Sequence, residues 1–207
     1  MKLFITGIST DVGKTVVSAI VTEALQADYW KPVQTGSALD ADMETVKKYV
    51  SNSQTVIHSN AYVFELPASP HAAAKAESKN IDLKKIKEPI THNHLVIEGA
   101  GGVLVPLNEQ DCVIDLIQPD YAIVLVSKNY LGSINHTLLT VEALKSRNIS
   151  IAGIVFNGES NSETERIILK KTGLKCLGRV AVEPYFDQNV IKEYADLFEE
   201  ELMKLIS

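Results

Sequence analysis

Residues 7–15 read GISTDVGKT, and a short apolar run, residues 3–5, comes directly before them. The apolar run predicts a buried strand, and residues 16–27 carry apolar side chains at helical spacing. A strand, a glycine-bearing loop and a helix, in this order, are the setting of a phosphate-binding loop. In such a loop, backbone N–H groups and the positive end of the helix surround phosphate oxygens. The stretch therefore predicts a nucleotide site.

Two residues of this stretch have defined roles in a phosphate-binding loop. Lys14 is expected to lie along the terminal phosphates, and the Thr15 hydroxyl is expected to reach a magnesium ion. The general motif has four residues between its glycines, whereas five separate Gly7 from Gly13. An ordinary strand-to-helix turn is the alternative interpretation, and the helical period that follows favours the phosphate-binding loop. The loop alone does not identify the reaction.

Composition is typical of a soluble globular protein, with 45% hydrophobic and 22% charged residues. At 207 residues the chain is expected to form one domain spanning residues 1–207. The net charge of -6 argues against binding to nucleic acid or to an anionic membrane. The first strand begins at once, so we expect no signal peptide and a cytoplasmic location. Cys112 and Cys176 are expected to be buried free thiols.

Apolar runs that predict strands alternate along the chain with segments that predict helices. Strands are predicted at residues 29–33, 94–98, 122–126, 151–156 and 176–182. Helices are predicted at residues 43–50, before Glu77, and at 81–90, 132–145, 162–171 and from 189 onward. This alternation predicts an α/β fold of the P-loop NTPase type, in which helices flank a doubly wound, mostly parallel sheet.

Two acidic residues are candidates for a magnesium site. Glu98 ends an apolar strand and precedes the glycine-rich residues 99–102, a place where an open parallel sheet binds its ligands. Asp42 directly precedes a predicted helix, where an N-cap role would also explain it. Asp40 competes with Asp42 for the same role. A turn in which Glu98 caps backbone amides is the alternative for that residue.

Taken together, these segments resemble the dethiobiotin synthetases, ATP-dependent enzymes that close the ureido ring in biotin synthesis. Residues 7–15 resemble the family's Gly-Thr-Asp-Thr-x-Val-Gly-Lys-Thr, which includes the extra residue between the glycines. Residues 31–36 (KPVQTG) resemble its Lys-Pro-Val-x-(Ser/Thr)-Gly. Further matches in family order are residues 69–71 (SPH), 98–102 (EGAGG), 134–136 (INH) and Asn157.

The chain departs from the family pattern at two places. Residues 8 and 9 are Ile8 and Ser9, where the family usually has Thr-Asp. Near the C-terminus, residues 178–184 (GRVAVEP) stand where the family commonly has Gly-x-Ile-Pro beside the adenine. The second departure leaves open the contacts to the base and the strictness of the preference for ATP.

The resemblance implies a reaction of 7,8-diaminononanoate, carbon dioxide (supplied by bicarbonate) and MgATP. Its products are dethiobiotin, ADP and phosphate, formed through a carbamate and a carbamic–phosphoric anhydride. The resemblance also implies a homodimer in which the helix that starts near Gly132 serves the neighbouring active site.

Residue roles follow from the same resemblance. Lys31 and Lys14 are the catalytic residues, and Thr15, Asp42 and Glu98 hold magnesium. Thr35, Gly132 and Asn135 are expected to bind substrate. The residues expected to contact the nucleotide and its metal are Asp11, Val12, Gly13, Lys14, Thr15, Val16, Asp42, Glu98, Gly99, Ala100, Gly101 and Asn157. An amide such as Asn157 can pair with the adenine base, although capping of a strand-to-helix turn is its alternative role.

Two other functions are considered. A regulatory or partitioning ATPase of the same structural group often has a lysine early in the loop, where Ser9 stands here. A catalytically idle nucleotide-binding module would have little need for the complete set of candidate residues. Both alternatives are disfavoured on these grounds.

Overall fold

The computed structural model describes residues 1–36 and 41–206. Seven strands form a sheet in the order β4-β2-β6-β1-β7-β8-β9, and β3 pairs with β5 in a second, two-stranded sheet. All the strand pairs are parallel. The strands are β1 Lys2–Gly7, β2 Asp28–Trp30, β3 Val33–Thr35, β4 Ile57–His58, β5 Tyr62–Phe64, β6 Leu95–Gly102, β7 Tyr121–Lys128, β8 Ile151–Asn157 and β9 Cys176–Val180.

Helices connect the strands and cover both faces of the large sheet. They are α1 Lys14–Leu25, α2 Asp42–Tyr49, α3 Pro70–Ala76, α4 Ser133–Ser146, α5 Ser162–Thr172 and α6 Gln188–Ile206. Short 3-10 turns lie at Leu83–Lys85 and Val113–Leu116. This architecture confirms the predicted P-loop NTPase fold. In the part of the chain that the structure describes, no helix is both long and apolar enough to cross a membrane.

Alternate residues of β1 point to two hydrophobic layers, as the period of a strand requires. Leu3 and Ile5 pack into the layer that contains α1 and α6, whereas Phe4 packs into the opposite layer. Because β1 has strands on both sides and a hydrophobic layer on each face, its residues 3–7 are buried. Its carboxyl end therefore delivers the phosphate-binding loop from a rigid support.

The predicted strand at residues 29–33 is wrong as a single element. β2 ends at Trp30 and belongs to the large sheet, whereas β3 begins at Val33 and belongs to the small one. Pro32 lies between them and has no N–H to offer a ladder, so a strand is not continued through it. The break moves Lys31 out of the sheet at its carboxyl edge.

The predicted helix at residues 81–90 is also wrong, because only a 3-10 turn, Leu83–Lys85, forms there. The Asp82 side chain caps this turn, and the backbone is extended again at Ile86. Ile81 is fully buried, and Leu83 and Ile86 pack against the same hydrophobic layer as Phe4. Apolar residues spaced like a helical face thus cover the sheet without forming a helix.

The predictions for the cysteines and for the end of one strand also differ from the structure. Both cysteines are free, as predicted, but they are not buried: Cys112 is half-buried and Cys176 is exposed. The strand predicted at residues 176–182 ends at Val180. Asp40 lies outside the described residues.

Gly178 of β9 generates a prediction about packing. A Cβ atom there would lie 2.3 Å from the ring of Phe198, a buried residue of α6. We expect Gly178→Ala to lower the free energy of unfolding by about 1–3 kcal/mol, because overpacking forces side chains or backbone to shift. Urea denaturation measures this change.

Gly102→Ala is the matched control, because its Cβ atom would meet its nearest neighbour, the Gly7 carbonyl oxygen, at an ordinary 3.5 Å. Its free energy of unfolding should change by less than about 0.5 kcal/mol. Equal losses in the two variants would contradict the packing argument.

Candidate active site

The loop between β1 and α1 has the conformation of an anion-binding site. Gly13 precedes α1 with φ of 92°, and no side chain caps the N–H groups of the helix. A Cβ atom at Gly13 would lie 2.1 Å from Nδ2 of Asn157, so only glycine is accommodated there. Asn157 donates from Nδ2 to the carbonyl oxygen of Val12 at 2.8 Å. The free N–H groups at the helix start therefore remain available to phosphate oxygens.

Lys14 is held inside this loop. Its Nζ donates to the carbonyl oxygen of Ser9 at 3.1 Å, and the residue is buried. Burial lowers the pKa of Lys14; the charge of Glu98 opposes this shift and that of Lys31 adds to it. An anion bound in the loop would stabilise the charged form of Lys14.

A cluster of charged side chains lies beside the loop. Nζ of Lys31 donates to Oδ2 of Asp42 and, at 3.0 Å, to Oε1 of Glu98. The Thr15 hydroxyl contacts the same two carboxylates, at Oδ1 of Asp42 and, at 3.0 Å, at Oε1 of Glu98. Tyr29 donates to the remaining oxygen of Glu98, Oε2, at 2.9 Å. We call these five residues the Lys31 cluster.

Separate elements bring the cluster together. Lys31 follows β2, Asp42 is the first residue of α2, and Glu98 lies within β6. Because β2 and β6 are parallel neighbours, residues at their carboxyl ends meet at one edge of the sheet. The side chain of Gln34 accepts a hydrogen bond from the backbone N–H of Asp42 at 3.2 Å. The helix N-cap is Ala41, so the N-cap role considered for Asp42 is wrong.

Charge pairing within the cluster shifts two pKa values. Burial alone would lower the pKa of Lys31, but Glu98 and Asp42 outweigh it and the net shift is upward. Burial alone would raise the pKa of Asp42, but the charge and hydrogen bond of Lys31 and the hydrogen bond of Thr15 lower it. Both shifts favour the ion pair at neutral pH.

A cleft of about 920 Å³ opens over the loop and the Lys31 cluster. It brings together ten of the predicted site residues: Asp11, Gly13, Lys14, Thr15, Lys31, Thr35, Asp42, Glu98, Ala100 and Gly101. Residues 67–70, which precede and begin α3, also line it. A cleft of this volume is in the usual range of small-molecule sites.

Six predicted residues do not line this cleft. Val12 is buried, Val16 packs against the hydrophobic layer of α1, and a Cβ atom on Gly99 would meet the Phe4 ring at 3.1 Å. The Asn157 amide supports the loop from outside through Val12. The other two, Gly132 and Asn135, line a separate groove of about 690 Å³ at the start of α4.

Tyr29 and Gln34 belong to the site but are not among the predicted site residues. Both are buried, and each hydrogen bonds to a carboxylate residue of the cluster. Gln34 lies inside the KPVQTG segment, at the position where the family pattern allows any residue, so the pattern gave no signal there. Tyr29 could be assigned only from the register between β2 and β6.

The donor set suits a magnesium ion. Thr15, Asp42 and Glu98 offer a hydroxyl and two carboxylates, the hard oxygen ligands that magnesium prefers. Over residues 1–36 and 41–206, no group of three or more His, Cys, Asp or Glu side chains could hold a metal. Magnesium usually takes only one or two carboxylates and completes its shell with water and phosphate oxygens. The cluster therefore fits magnesium bound together with a nucleotide.

Comparison with known proteins gives the family. A family model described as "AAA domain" matches residues 1–190. The chain is 53% identical over 202 residues to the ATP-dependent dethiobiotin synthetase BioD of Christiangramia forsetii, and the matched region covers 98% of each protein. It is 56% identical over 196 residues to the protein of the same name from Cytophaga hutchinsonii, which covers 94% of this chain and 95% of that protein.

Solved structures show the same fold at low sequence identity. The septum site-determining protein MinD of Pyrococcus horikoshii, complexed with Mg-ADP, aligns with a TM-score of 0.59 and 15% identity over 99% of this chain and 96% of its own. A plasmid partition protein from Borrelia burgdorferi aligns with a TM-score of 0.57 and 13% identity over 98% of each chain. At these identities the likeness concerns the fold alone.

The lowered pKa of Asp42 generates a prediction about pH. A carboxyl group whose folded pKa lies below its ordinary value of 3.8 contributes stability above that value. The contribution disappears as the pH falls through the folded pKa. We therefore expect the wild-type free energy of unfolding to fall more steeply below about pH 5 than that of Asp42→Asn. Urea denaturation between pH 7 and pH 3 compares them, and parallel pH profiles would contradict the prediction.

Proposed function

The chain belongs to the family of ATP-dependent dethiobiotin synthetases, ligases of biotin biosynthesis, and on that premise we propose that the cleft over the Lys31 cluster is its active site. The observation that carries this proposal is the buried ammonium group of Lys31 beside the phosphate-binding loop. Lys31 is only 5% exposed, and both carboxylates of the cluster contact it. An ammonium group held there is suited to neutralise the negative charge of the terminal phosphate of a nucleoside triphosphate.

The reaction requires an anion to be held and activated. One amine of 7,8-diaminononanoate adds to carbon dioxide and loses a proton, which gives a carbamate. A carbamate oxygen then attacks the γ-phosphorus, and ADP leaves. The second amine attacks the carbamoyl carbon of the resulting anhydride, phosphate leaves and the ring closes. Each step places negative charge on oxygen atoms, first of the carbamate, then of ADP and finally of phosphate, so the protein acts mainly by position and electrostatics.

Lys14 and Lys31 have distinct roles in this proposal. Lys14 and the free N–H groups of the loop bind the β- and γ-phosphates, because both face the cleft at the start of α1. Lys31 neutralises the carbamate and the phosphoryl group that is transferred. Thr15, Asp42 and Glu98 would hold magnesium, which supplies further charge neutralisation at the phosphates when bound. Asn157 is proposed to contact adenine from the loop's outer side.

The diamine is proposed to enter beside Thr35, which lines the cleft near the Lys31 cluster.

Gly132 and Asn135 lie in the separate groove, so their proposed contact with the substrate carboxylate requires a second subunit. Leu131 is fully exposed beside this groove, and Leu139 of α4 is 55% exposed. Exposed apolar side chains of this kind support the proposed homodimer. A monomeric mass in sedimentation equilibrium would contradict it. We also propose that residues 1–207 form a single domain and that the protein is located in the cytoplasm.

Product formation tests the function directly. We expect protein incubated with 7,8-diaminononanoate, bicarbonate and MgATP to form dethiobiotin and ADP in equal amounts, detected by mass spectrometry. Omission of the diamine or of bicarbonate should stop ADP formation, because the carbamate is the phosphoryl acceptor. Steady ATP hydrolysis without the diamine would contradict the proposal and favour a nucleotide switch.

Substitution of Lys31 tests the mechanism. Lys31→Met keeps most of the side-chain volume and removes the charge, so we expect kcat for dethiobiotin formation to fall about a hundredfold or more. The affinity for ATP, measured by calorimetry, should stay near the wild-type value because Lys14 and the loop are intact.

Lys47→Met is the matched control, since Lys47 is an exposed lysine of α2 whose only ion pair among the described residues, with Glu44, is 4.0 Å long. Its kcat should equal that of the wild type. Near-normal turnover by folded Lys31→Met protein would remove Lys31 from the mechanism.

A further inference from the structure

Tyr29 is a fully buried tyrosine whose hydroxyl contacts Glu98 in the Lys31 cluster. It donates to Oε2 of Glu98 at 2.9 Å, and the residue is 0% exposed. The other oxygen of Glu98, Oε1, accepts hydrogen bonds at 3.0 Å from Thr15 and from Lys31. The two oxygens of one carboxylate therefore have separate sets of partners.

Strand register explains why Tyr29 reaches Glu98. In the parallel pair of β2 and β6, Tyr29 lies opposite Val96, and Glu98 is two residues further along β6. Residues two apart on a strand share a face, so Tyr29 and Glu98 are diagonal neighbours on the face covered by α1. Diagonal neighbours are within reach of an aromatic side chain.

We propose that Tyr29 is a positioning residue for Glu98, whose carboxylate it orients so that Oε1 faces Thr15 and the magnesium site. The inference deepens the proposed function and rests on its assignment of Glu98 as a magnesium ligand. Tyr29 does not line the cleft, so it acts through Glu98 and not on substrate. Hydrogen bonds to the far atoms of ligand side chains commonly fix their orientation and tune their affinity for metal.

The partner of Tyr29 keeps its hydroxyl in the role of donor. A carboxylate only accepts hydrogen bonds, so the hydroxyl of Tyr29 donates to Oε2 of Glu98. Oε2 of Glu98 has Tyr29 as its hydrogen-bond partner among the described residues, and the Glu98 side chain is fully buried. Without the hydroxyl, Oε2 would lose its partner in a buried site, and the carboxylate could turn towards other donors.

Tyr29→Phe tests the inference because it keeps the ring and removes only the hydroxyl. Electron paramagnetic resonance measures the affinity for Mn²⁺, used as the probe ion, in the presence of ADP. We expect this affinity to fall about tenfold or more, the usual effect of removing such an outer partner. The affinity for ADP in EDTA, measured by calorimetry, should be unchanged, because the loop and Lys14 are intact.

Tyr121→Phe is the matched control. Its hydroxyl donates to Oε2 of Glu88 at 2.6 Å, a second tyrosine–glutamate hydrogen bond that lies outside the cleft. We expect this variant to bind Mn²⁺ and ADP as the wild type does. A loss of stability alone would appear in both variants, whereas a loss of metal affinity should appear only in Tyr29→Phe.

Three results would count against the inference. Unchanged Mn²⁺ affinity in folded Tyr29→Phe protein would overturn it, and so would an equal loss of ADP affinity in EDTA, which indicates a general distortion of the loop.

If Tyr29→Phe does not fold, fluorotyrosine at position 29 keeps the hydroxyl and gives a fluorine NMR signal. That signal should shift on addition of Mg²⁺ with ADP and not with ADP in EDTA; an unresponsive signal would overturn the inference. Wild-type protein that binds ADP but no Mn²⁺ would instead contradict the proposed function.

Discussion

The contact of the Lys31 ammonium group with the carboxylates of Asp42 and Glu98 is the interaction on which the site depends. The three residues come from separate elements; the side chains of Lys31 and Glu98 are buried, and that of Asp42 is 26% exposed. Loss of one partner from such a cluster leaves an uncompensated buried charge, which typically costs about 3–5 kcal/mol. With Lys14 beside them, two positive and two negative charges balance. That balance ties β2, α2 and β6 to the phosphate-binding loop.

The sheet supplies the rigid frame for these charges. β1 ends at the loop and β6 carries Glu98, and the two strands are direct neighbours. β2 lies on the other side of β6 and ends at Trp30, before Pro32, so Lys31 lies at the same edge. Pro32, which has no N–H to continue the strand, thus helps to place Lys31 at the site. The chain continues into the small sheet, and Gln34 of β3 there holds the start of α2.

The sequence predicts the parts of the site that are contiguous, and resemblance supplies most of the rest. Lys14 and Thr15 follow from one loop motif, since strand, glycines and helix are read from neighbouring residues. Glu98 follows from its place at the end of an apolar strand, whereas Lys31 comes from a short pattern that resembles a known family. Tyr29 has no such signal, because its role depends on which strand lies beside β2 and in which register. The false helix at residues 81–90 has the same origin, because periodicity does not distinguish a helix from an irregular segment packed on a sheet.

Proteins with the same fold and about one residue in seven identical carry out other tasks, so the loop and the sheet do not determine the chemistry. Charged groups meet at the sheet edge around the loop. In this chain those groups form a closed network: Oε1 of Glu98 already accepts hydrogen bonds from Thr15 and Lys31. A divalent cation ligated by Asp42 and Glu98 would therefore compete with Lys31 for the same oxygens. The energetic cost of moving the ammonium group away falls if an anion, such as a carbamate or a terminal phosphate, receives it. In the proposed mechanism, binding of the metal and of the anionic acceptor would in this way be coupled through Lys31.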